Sequence, residues 1–167
     1  IRQINRLLPN ASTDVLIPDV RGLKENLKIV LDAKPTILAH NLETVPRLYK
    51  NARQYSNYQT SLTILEWTKE IDPTIFTKSG IMLGLGETRE EVLHTMEDLI
   101  KVNCDFLTIG QYLRPTPKNV EVIEYIHPDI FQRYKEEGEQ MGFRYVASDP
   151  FVRSSFHAEE ALQHIRD

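Results

Sequence analysis

The sequence predicts an α/β protein built from successive parallel βα units. Three observations carry that expectation. Short apolar runs of strand length alternate with longer stretches whose apolar residues recur at helical spacing. No linker rich in Pro, Gly or Ser and no low-complexity segment breaks the alternation across 167 residues, a length that suits one domain. Strands separated by helices imply parallel pairing with right-handed crossovers. Four or five such units fit part of a barrel, whose full eight-unit ring needs about 250 residues, or an open doubly wound sheet.

The elements follow in order. "IRQINRLLP" places apolar residues at 1, 4, 7 and 8, as at the end of an amphipathic helix. "DVLIPD" (14–19) reads as a strand, and 23–33 as a helix with Leu23, Leu27, Val30 and Leu31 on one side. "PTILAHN" (35–41) is the next strand, followed by a helix over 57–71 with Tyr58, Leu62 and Leu65 on one face. "TIFTKSGIML" (74–83) is a strand. Thr88 and Glu91 then form a Thr-x-x-Glu capping box, in which each side chain satisfies a free N–H at a helix start. Val92, Met96, Leu99 and Ile100 continue the buried face of that helix. "DFLTIG" (105–110) is a strand. Pro128 suits the first turn of a helix running to Met141, and Gly142 suits its end. "FRYVAS" (143–148) is the last strand, and a final helix is expected after it.

Composition excludes some classes. Net charge is −4 with both signs interspersed, and the acidic run "KEEGEQ" reads as a solvated helix face, so no nucleic-acid surface is expected. No apolar run approaches the ~18 residues of a membrane span. Cys104 is the one cysteine, which excludes an internal disulfide and a cysteine-only metal site, and its place between a helix and a strand suits a buried structural thiol. The N-terminus has neither an initiator Met nor the pattern of a signal or transit peptide, so the chain is expected to begin mid-protein.

Ligands of such folds bind at the C-terminal ends of the strands. There the sequence places His40, Asn41, Glu43 and Thr44, then Gly80, Gly84, Gly86 and Glu87, then Gly110, Gln111, Tyr112 and Arg114, then Ser148, Asp149, Arg153, Ser154 and Ser155. Each has a plain reading. The glycines form turns; His40 is a hydrogen-bonded core or surface histidine; Ser155 caps the final helix, with Glu159 and Glu160 favouring its N-terminus. The glycines do not follow G-x-G-x-x-G, so no dinucleotide fingerprint is read. The residues alone establish a βα protein with a polar site at its strand ends.

Four longer stretches, "HNLETVPRLY", "TKSGIMLGLGET", "LTIGQYLRPTPKN" and "VRSSFHA", together resemble lipoyl synthase, a radical S-adenosylmethionine enzyme family, in that family's order and spacing; "VLIPDVRG" and "FRYVAS" match as well. The resemblance runs from Asp14 to Ala158. It implies a partial (β/α)6 barrel of the TIM-like type, of which this chain carries the C-terminal βα units, with 1–167 as part of one core domain and 149–167 as a cluster-ligand motif and tail. It implies two [4Fe–4S] clusters and S-adenosylmethionine, with two sulfurs inserted at C6 and C8 of an octanoyl chain on a carrier lysine. The implied partners are octanoylated lipoyl carrier domains, namely 2-oxoacid dehydrogenase E2 subunits and the glycine cleavage H protein. The implied enzyme is a monomer with no nucleic-acid or membrane partner. It is cytoplasmic in a bacterium, and mitochondrial or plastid in a eukaryote.

The resemblance also assigns residues. Gly80, Met82, Gly84 and Glu87 match a strand pattern that packs near the adenine, and Gly110 and Gln111 a second segment whose backbone approaches it. Asn41 and Glu43 resemble positions near the ribose and amino-acid parts of the cofactor. "RSSF" resembles the Arg-Ser-Ser-Tyr motif that gives the auxiliary cluster a serine oxygen, which points to Ser155 first and Ser154 second, with Arg153 in support. Phe156 stands in place of the usual Tyr, and Asp149 in place of a usual Gly. The C-x-x-x-C-x-x-C and C-x-x-x-x-C-x-x-x-x-x-C motifs that hold the clusters are absent. The chain alone is therefore expected to be inactive, and poorly stable because its first strand presents an unpaired edge. The alternative to a piece of a working lipoyl synthase is a truncated, non-catalytic remnant or binding module of that family.

Overall fold

The computed structural model describes residues 1–154. Helices α1 (Arg2–Leu7), α2 (Lys24–Leu31), α3 (Tyr49–Ala52), α4 (Tyr58–Ile71), α5 (Arg89–Lys101) and α6 (Pro128–Met141) alternate with strands β1 (Asp14–Leu16), β2 (Ile37–Ala39), β3 (Phe76–Leu83), β4 (Phe106–Gln111) and β5 (Tyr145–Ser148). All pairings are parallel and the spatial order is β1-β2-β3-β4-β5. A doubly wound sheet reverses its strand order at a switch point. This one does not: the sheet is an arc of a barrel, as the family resemblance implied, and the doubly wound alternative that the residue pattern alone allowed is excluded.

Local chemistry sets the element ends. Asn57 caps α4 by accepting from the Thr60 N–H, and Thr88 and Glu91 make the expected reciprocal box at the start of α5. Pro128 opens α6, and Gly142 closes it in the left-handed conformation. The strands are shorter than their apolar runs: the flanking residues, such as Thr36 and His40, still bond to neighbouring strands but lie outside the regular ladder. Helix α1 forms as its spacing predicts, but none of its residues is buried.

Strand parity sorts the side chains. The outer face packs Ile81, Leu83, Leu107, Ile109 and Val146 against Leu65, Val92, Met96, Leu99 and Phe131 of the helices. A second outer cluster joins Leu27 and Leu31 of α2 to Leu38 and Ile64. The inner face is closed at the strands' N-terminal end by Ile37 and Phe106, with Phe76 and Tyr145 packed on them. Above that plug, toward the C-terminal ends, the inner residues become small or polar, Met82 excepted. Lys78, Gly80 and Met82 follow one another on β3, and Thr108 and Gly110 on β4. The lumen therefore opens where the apolar layer stops. Among the described residues, no helix is long and apolar enough to cross a membrane.

Candidate functional site

The open part of the lumen is a cavity of about 320 Å³. Its walls include Asn41 and Glu43 after β2, Gly80 and Met82 of β3, Gly110 and Gln111 of β4, and Arg153 and Ser154 after β5. Eight residues that the sequence singled out thus meet in one place. A second, larger hollow of about 740 Å³ shares Glu43 and Met82 with it and opens outward past Arg53 and Lys118.

Backbone bonds place the acidic corner. Glu43 adopts φ +68°, donates its N–H to the Gly80 carbonyl at 2.8 Å and accepts from the Met82 N–H at 2.8 Å. These two bonds dock the turn after β2 against β3 and hold a left-handed conformation that non-glycine residues seldom adopt. The Asn41 side-chain amide donates to Glu43 Oε1 at 3.1 Å, while Asn41 Oδ1 is buried with no protein partner. A β-carbon on Gly80 would stand 2.6 Å from Thr108 Oγ1 and 3.1 Å from Asn41 Oδ1. The bare glycine leaves room beside that acceptor that a side chain would fill.

Other predicted residues are placed to build the site. Gln111 lines the cavity, but its side chain is spent on the long loop after β4: Nε2 donates to the carbonyls of Tyr112 and Glu124 at 3.0 Å each, and Oε1 accepts from the Ile126 N–H at 2.9 Å. Gly84 and Glu87 do not line the cavity. The Glu87 carboxylate turns back and accepts from the N–H groups of Gly84 (2.6 Å) and Leu85 (2.9 Å), closing the "GLGE" turn. Gly84 sits at φ +99°, and a β-carbon there would be 2.3 Å from Gln111 Nε2. His40 is fully buried and is the hydrogen-bonded core histidine of the plain reading. Its Nδ1 lies 3.0 Å from the Ile17 carbonyl, so that nitrogen carries a proton; Nε2 lies 3.1 Å from Asp19 Oδ1, and burial pushes its pKa down.

After β5 the chain folds back over the lumen. The Asp149 N–H donates to the Ile109 carbonyl at 3.2 Å, and the Gln111 N–H to the Pro150 carbonyl at 3.3 Å. Arg153 Nη1 donates to the Val152 carbonyl at 2.6 Å. Ser154 stands in the wall formed by this segment. Ser155, the favoured cluster ligand, lies outside the described residues, as does the expected final helix.

Residues 1–99 match the sequence profile of the Radical SAM superfamily. The chain belongs to the radical SAM superfamily. It is 53% identical over 155 residues to a protein named lipoyl synthase from Caldanaerobacter subterraneus subsp. tengcongensis, covering 93% of this chain and 55% of that protein. Proteins of the same name from Treponema denticola (51% over 161 residues, 96% of this chain and 54% of the relative) and Aquifex aeolicus (48% over 162 residues, 97% and 59%) are similar to it in the same way. The chain spans about half the length of the curated relatives it matches.

Radical SAM proteins use S-adenosylmethionine and a [4Fe–4S] cluster. The lumen of this radical SAM chain fits the first. The buried, unpartnered Asn41 Oδ1 and the Glu43 carboxylate are acceptors beside an open space, and both suit a ligand that brings hydroxyl and ammonium donors. The described residues do not fit a thiolate-held cluster. Cys104 is 3% exposed, packed between α5 and β4 at the strands' N-terminal end, and burial pushes its thiol up to about 12. No group of three or more His, Cys, Asp or Glu among the described residues could hold a metal ion.

The sequence did not single out Lys78 or Asp14, whose side chains meet in the lumen. Parity carries the missing signal: Lys78 shares its strand face with Gly80 and Met82, and a lysine on that face points inward.

Proposed function

We propose that this chain is the C-terminal part of a lipoyl synthase, which replaces one C–H bond at C6 and one at C8 of a protein-bound octanoyl-lysine by C–S bonds. The convergence of Asn41, Glu43, Gly80 and Met82 with Arg153 and Ser154 of the serine motif on one cavity carries this reading. Two groups of residues, each matched to the family separately, prove to be two walls of the same space. S-adenosylmethionine and a [4Fe–4S] cluster would supply the hydrogen-abstracting radical, and an auxiliary cluster the sulfur.

The chain's own part is to hold and to shield. Asn41 and Glu43 would accept hydrogen bonds from the ribose and amino-acid portions of the cofactor. Gly80 and Gly110 leave room for a flat ring to approach the strands. Gln111 spans from β4 to the long loop and ties the two together. Ser155, with Ser154 as second choice, would give the auxiliary cluster its one oxygen ligand, and Arg153 would orient the segment. The substrates are octanoylated lipoyl carrier domains, and the working form is a monomer.

The test uses the complete polypeptide that includes the cysteine motifs, reconstituted with iron and sulfide and given an octanoylated carrier domain, S-adenosylmethionine and a reductant. Lipoyl formation is read by the mass of the carrier. Ser155→Cys is expected to keep iron but lose sulfur insertion. Undiminished lipoyl formation by that variant would sink the assigned role of the serine. A gene whose reading frame opens at Ile1, with no cysteine motif before it, would favour the remnant.

A further inference from the structure

The turn between β1 and α2 is strained. Val20, Arg21 and Gly22 take φ of +42°, +60° and +64°, three left-handed residues in a row. Glycine accepts that conformation freely; a β-branched valine and an arginine do not. The surroundings impose it. The Gly22 N–H donates to the Asp19 carbonyl at 2.7 Å, and the Asn26 side-chain amide donates to the Val20 carbonyl at 3.1 Å. Strain that neighbours enforce gathers where a residue has to be presented. Arg21 is the residue presented here. It is exposed, it lines a third hollow of about 450 Å³, and its guanidinium has no hydrogen bond or ion pair among the described residues.

A ridge formed by residues 54–56 stands between that hollow and the second one: Gln54, Tyr55 and Ser56 line both. The ridge is fastened. Ser56 Oγ donates to Asp19 Oδ2 at 2.7 Å, which ties it to the flank of the strained turn. Arg53 Nη1 donates to Ser61 Oγ at 2.9 Å and to the Tyr49 hydroxyl at 3.1 Å. On this braced backbone Tyr55 is fully exposed. The second hollow shares Glu43 and Met82 with the lumen, and its wall carries Lys118, which is exposed and whose ammonium has no partner among the described residues.

Tyrosine and arginine are the side chains that most often anchor protein–protein contacts. A guanidinium pairs best with a planar carboxylate, two N–H groups to two oxygens. Asp19 lines the same hollow as Arg21 and repels a multiply charged anion such as a phosphate, whereas a single carboxylate can pair with the guanidinium. The chain as a whole carries −4, so an acidic partner gains nothing from the overall charge and has to be met by local cations.

We propose that Arg21 and Tyr55, with Lys118 beyond them, form a docking surface for a protein that presents carboxylates, seated so that its acyl arm enters the second hollow toward the lumen. Tyr55 is the anchor, and Arg21 and Lys118 pair with acidic side chains of the partner. In one respect this rests on the reading of the chain as part of a lipoyl synthase: the partner is the octanoylated carrier domain.

The test uses the complete polypeptide and a fluorescently labelled, octanoylated glycine cleavage H protein. Binding is read by anisotropy and needs no turnover. Arg21→Asn puts a residue that tolerates the left-handed backbone into the turn. It is expected to raise the unfolding temperature and at the same time to weaken binding about fivefold. An arginine kept for the fold would lower that temperature when replaced. Tyr55→Ala and Lys118→Glu are expected to weaken binding as well, and added salt to weaken the native complex more than that of Arg21→Asn. Hydroxyl-radical footprinting locates the contact: Tyr55 is expected to be oxidised readily in the polypeptide alone and to be shielded by the carrier. A Tyr55 already shielded without the carrier means that the polypeptide covers its own ridge, and overturns the proposal. A native protein that binds the carrier, with native affinity in Arg21→Asn and Tyr55→Ala, overturns the docking surface and leaves the lipoyl synthase reading standing. A native protein that does not bind the carrier overturns that reading, and this inference with it. If Arg21→Asn does not fold, Tyr55→Ala and Lys118→Glu carry the test, and native affinity in both is equally fatal.

Discussion

The carbonyl oxygen of Val152 is seated on Gly110 so closely that a β-carbon on the glycine would stand 2.4 Å from it. Gly110 is a regular residue of β4 paired with Met82, so this contact, and not backbone strain, excludes a side chain. Gly110→Ala is therefore expected to lift the segment 149–154 away from the strand. Overpacking of this kind costs about 1–3 kcal/mol. Urea unfolding reads the loss, and faster exchange of the Gln111 amide, which bonds to Pro150, locates it. An unchanged midpoint with unchanged protection would contradict the seating.

The Glu87 carboxylate accepts two main-chain N–H groups of its own turn. Glu87→Gln leaves one acceptor oxygen and is expected to cost about 1 kcal/mol; Glu87→Ala frees both N–H groups and costs about 2 kcal/mol. Thermal unfolding without any ligand measures both. Loss of stability in the ligand-free protein distinguishes a turn-holding role from contact with a cofactor, which would leave that stability unchanged.

Acid acts through Glu91. The Arg47 guanidinium, and then the Thr88 N–H, pull the Glu91 carboxyl down to about 2 from its usual 4.5. A lowered folded-state value means that the stabilisation is fully present above pH 4.5 and is lost as the pH falls toward 2. Arg47 is 55% exposed and Glu91 25%, so solvent screening holds the gain to about 1 kcal/mol or less. The difference in unfolding free energy between the native protein and Glu91→Gln is expected to be flat near neutrality and to shrink below pH 4.5, and to shrink with added salt as well. A difference that grows on acidification would reverse the assignment.

Cys104 offers an internal gauge of opening. Its thiol is buried, with the raised pKa that burial imposes, so the thiolate is scarce at neutral pH. A thiol reagent is expected to leave the native protein unlabelled and to react only through unfolding, at a rate that tracks denaturant. Rapid labelling in buffer would show that α5 and β4 separate readily.

Much of this was legible in the sequence, for physical reasons. Thr88 with Glu91, and Pro128 with Gly142, are local signals whose geometry needs only a few neighbouring residues, and each marks the helix end it predicts. The buried faces of α4 and α5 follow from helical spacing. The strand–helix pattern alone did not choose between barrel and doubly wound sheet, because both alternate strand and helix and differ only in which strands are neighbours; the family resemblance chose the barrel, and the strand order agrees. Helix α1 shows the limit of periodicity: its spacing makes a helix, but Leu7 and Leu8 stay exposed among the described residues. The Glu87 carboxylate turns back onto its own turn for a local reason. A carboxylate one residue beyond a glycine-rich turn finds that turn's own free N–H groups first. The Lys78–Asp14 pair was hidden by a separation of 64 residues.

The strict neighbour order of the strands has a consequence for biosynthesis. Each new strand adds to the rim left by the one before, and none has to be inserted between two that are already paired. Chains emerge from the ribosome N-terminal end first, so the sheet can grow at the pace of translation. The segment that carries Arg153 and Ser154 emerges after all five strands, and until it does the vessel stands open on that side.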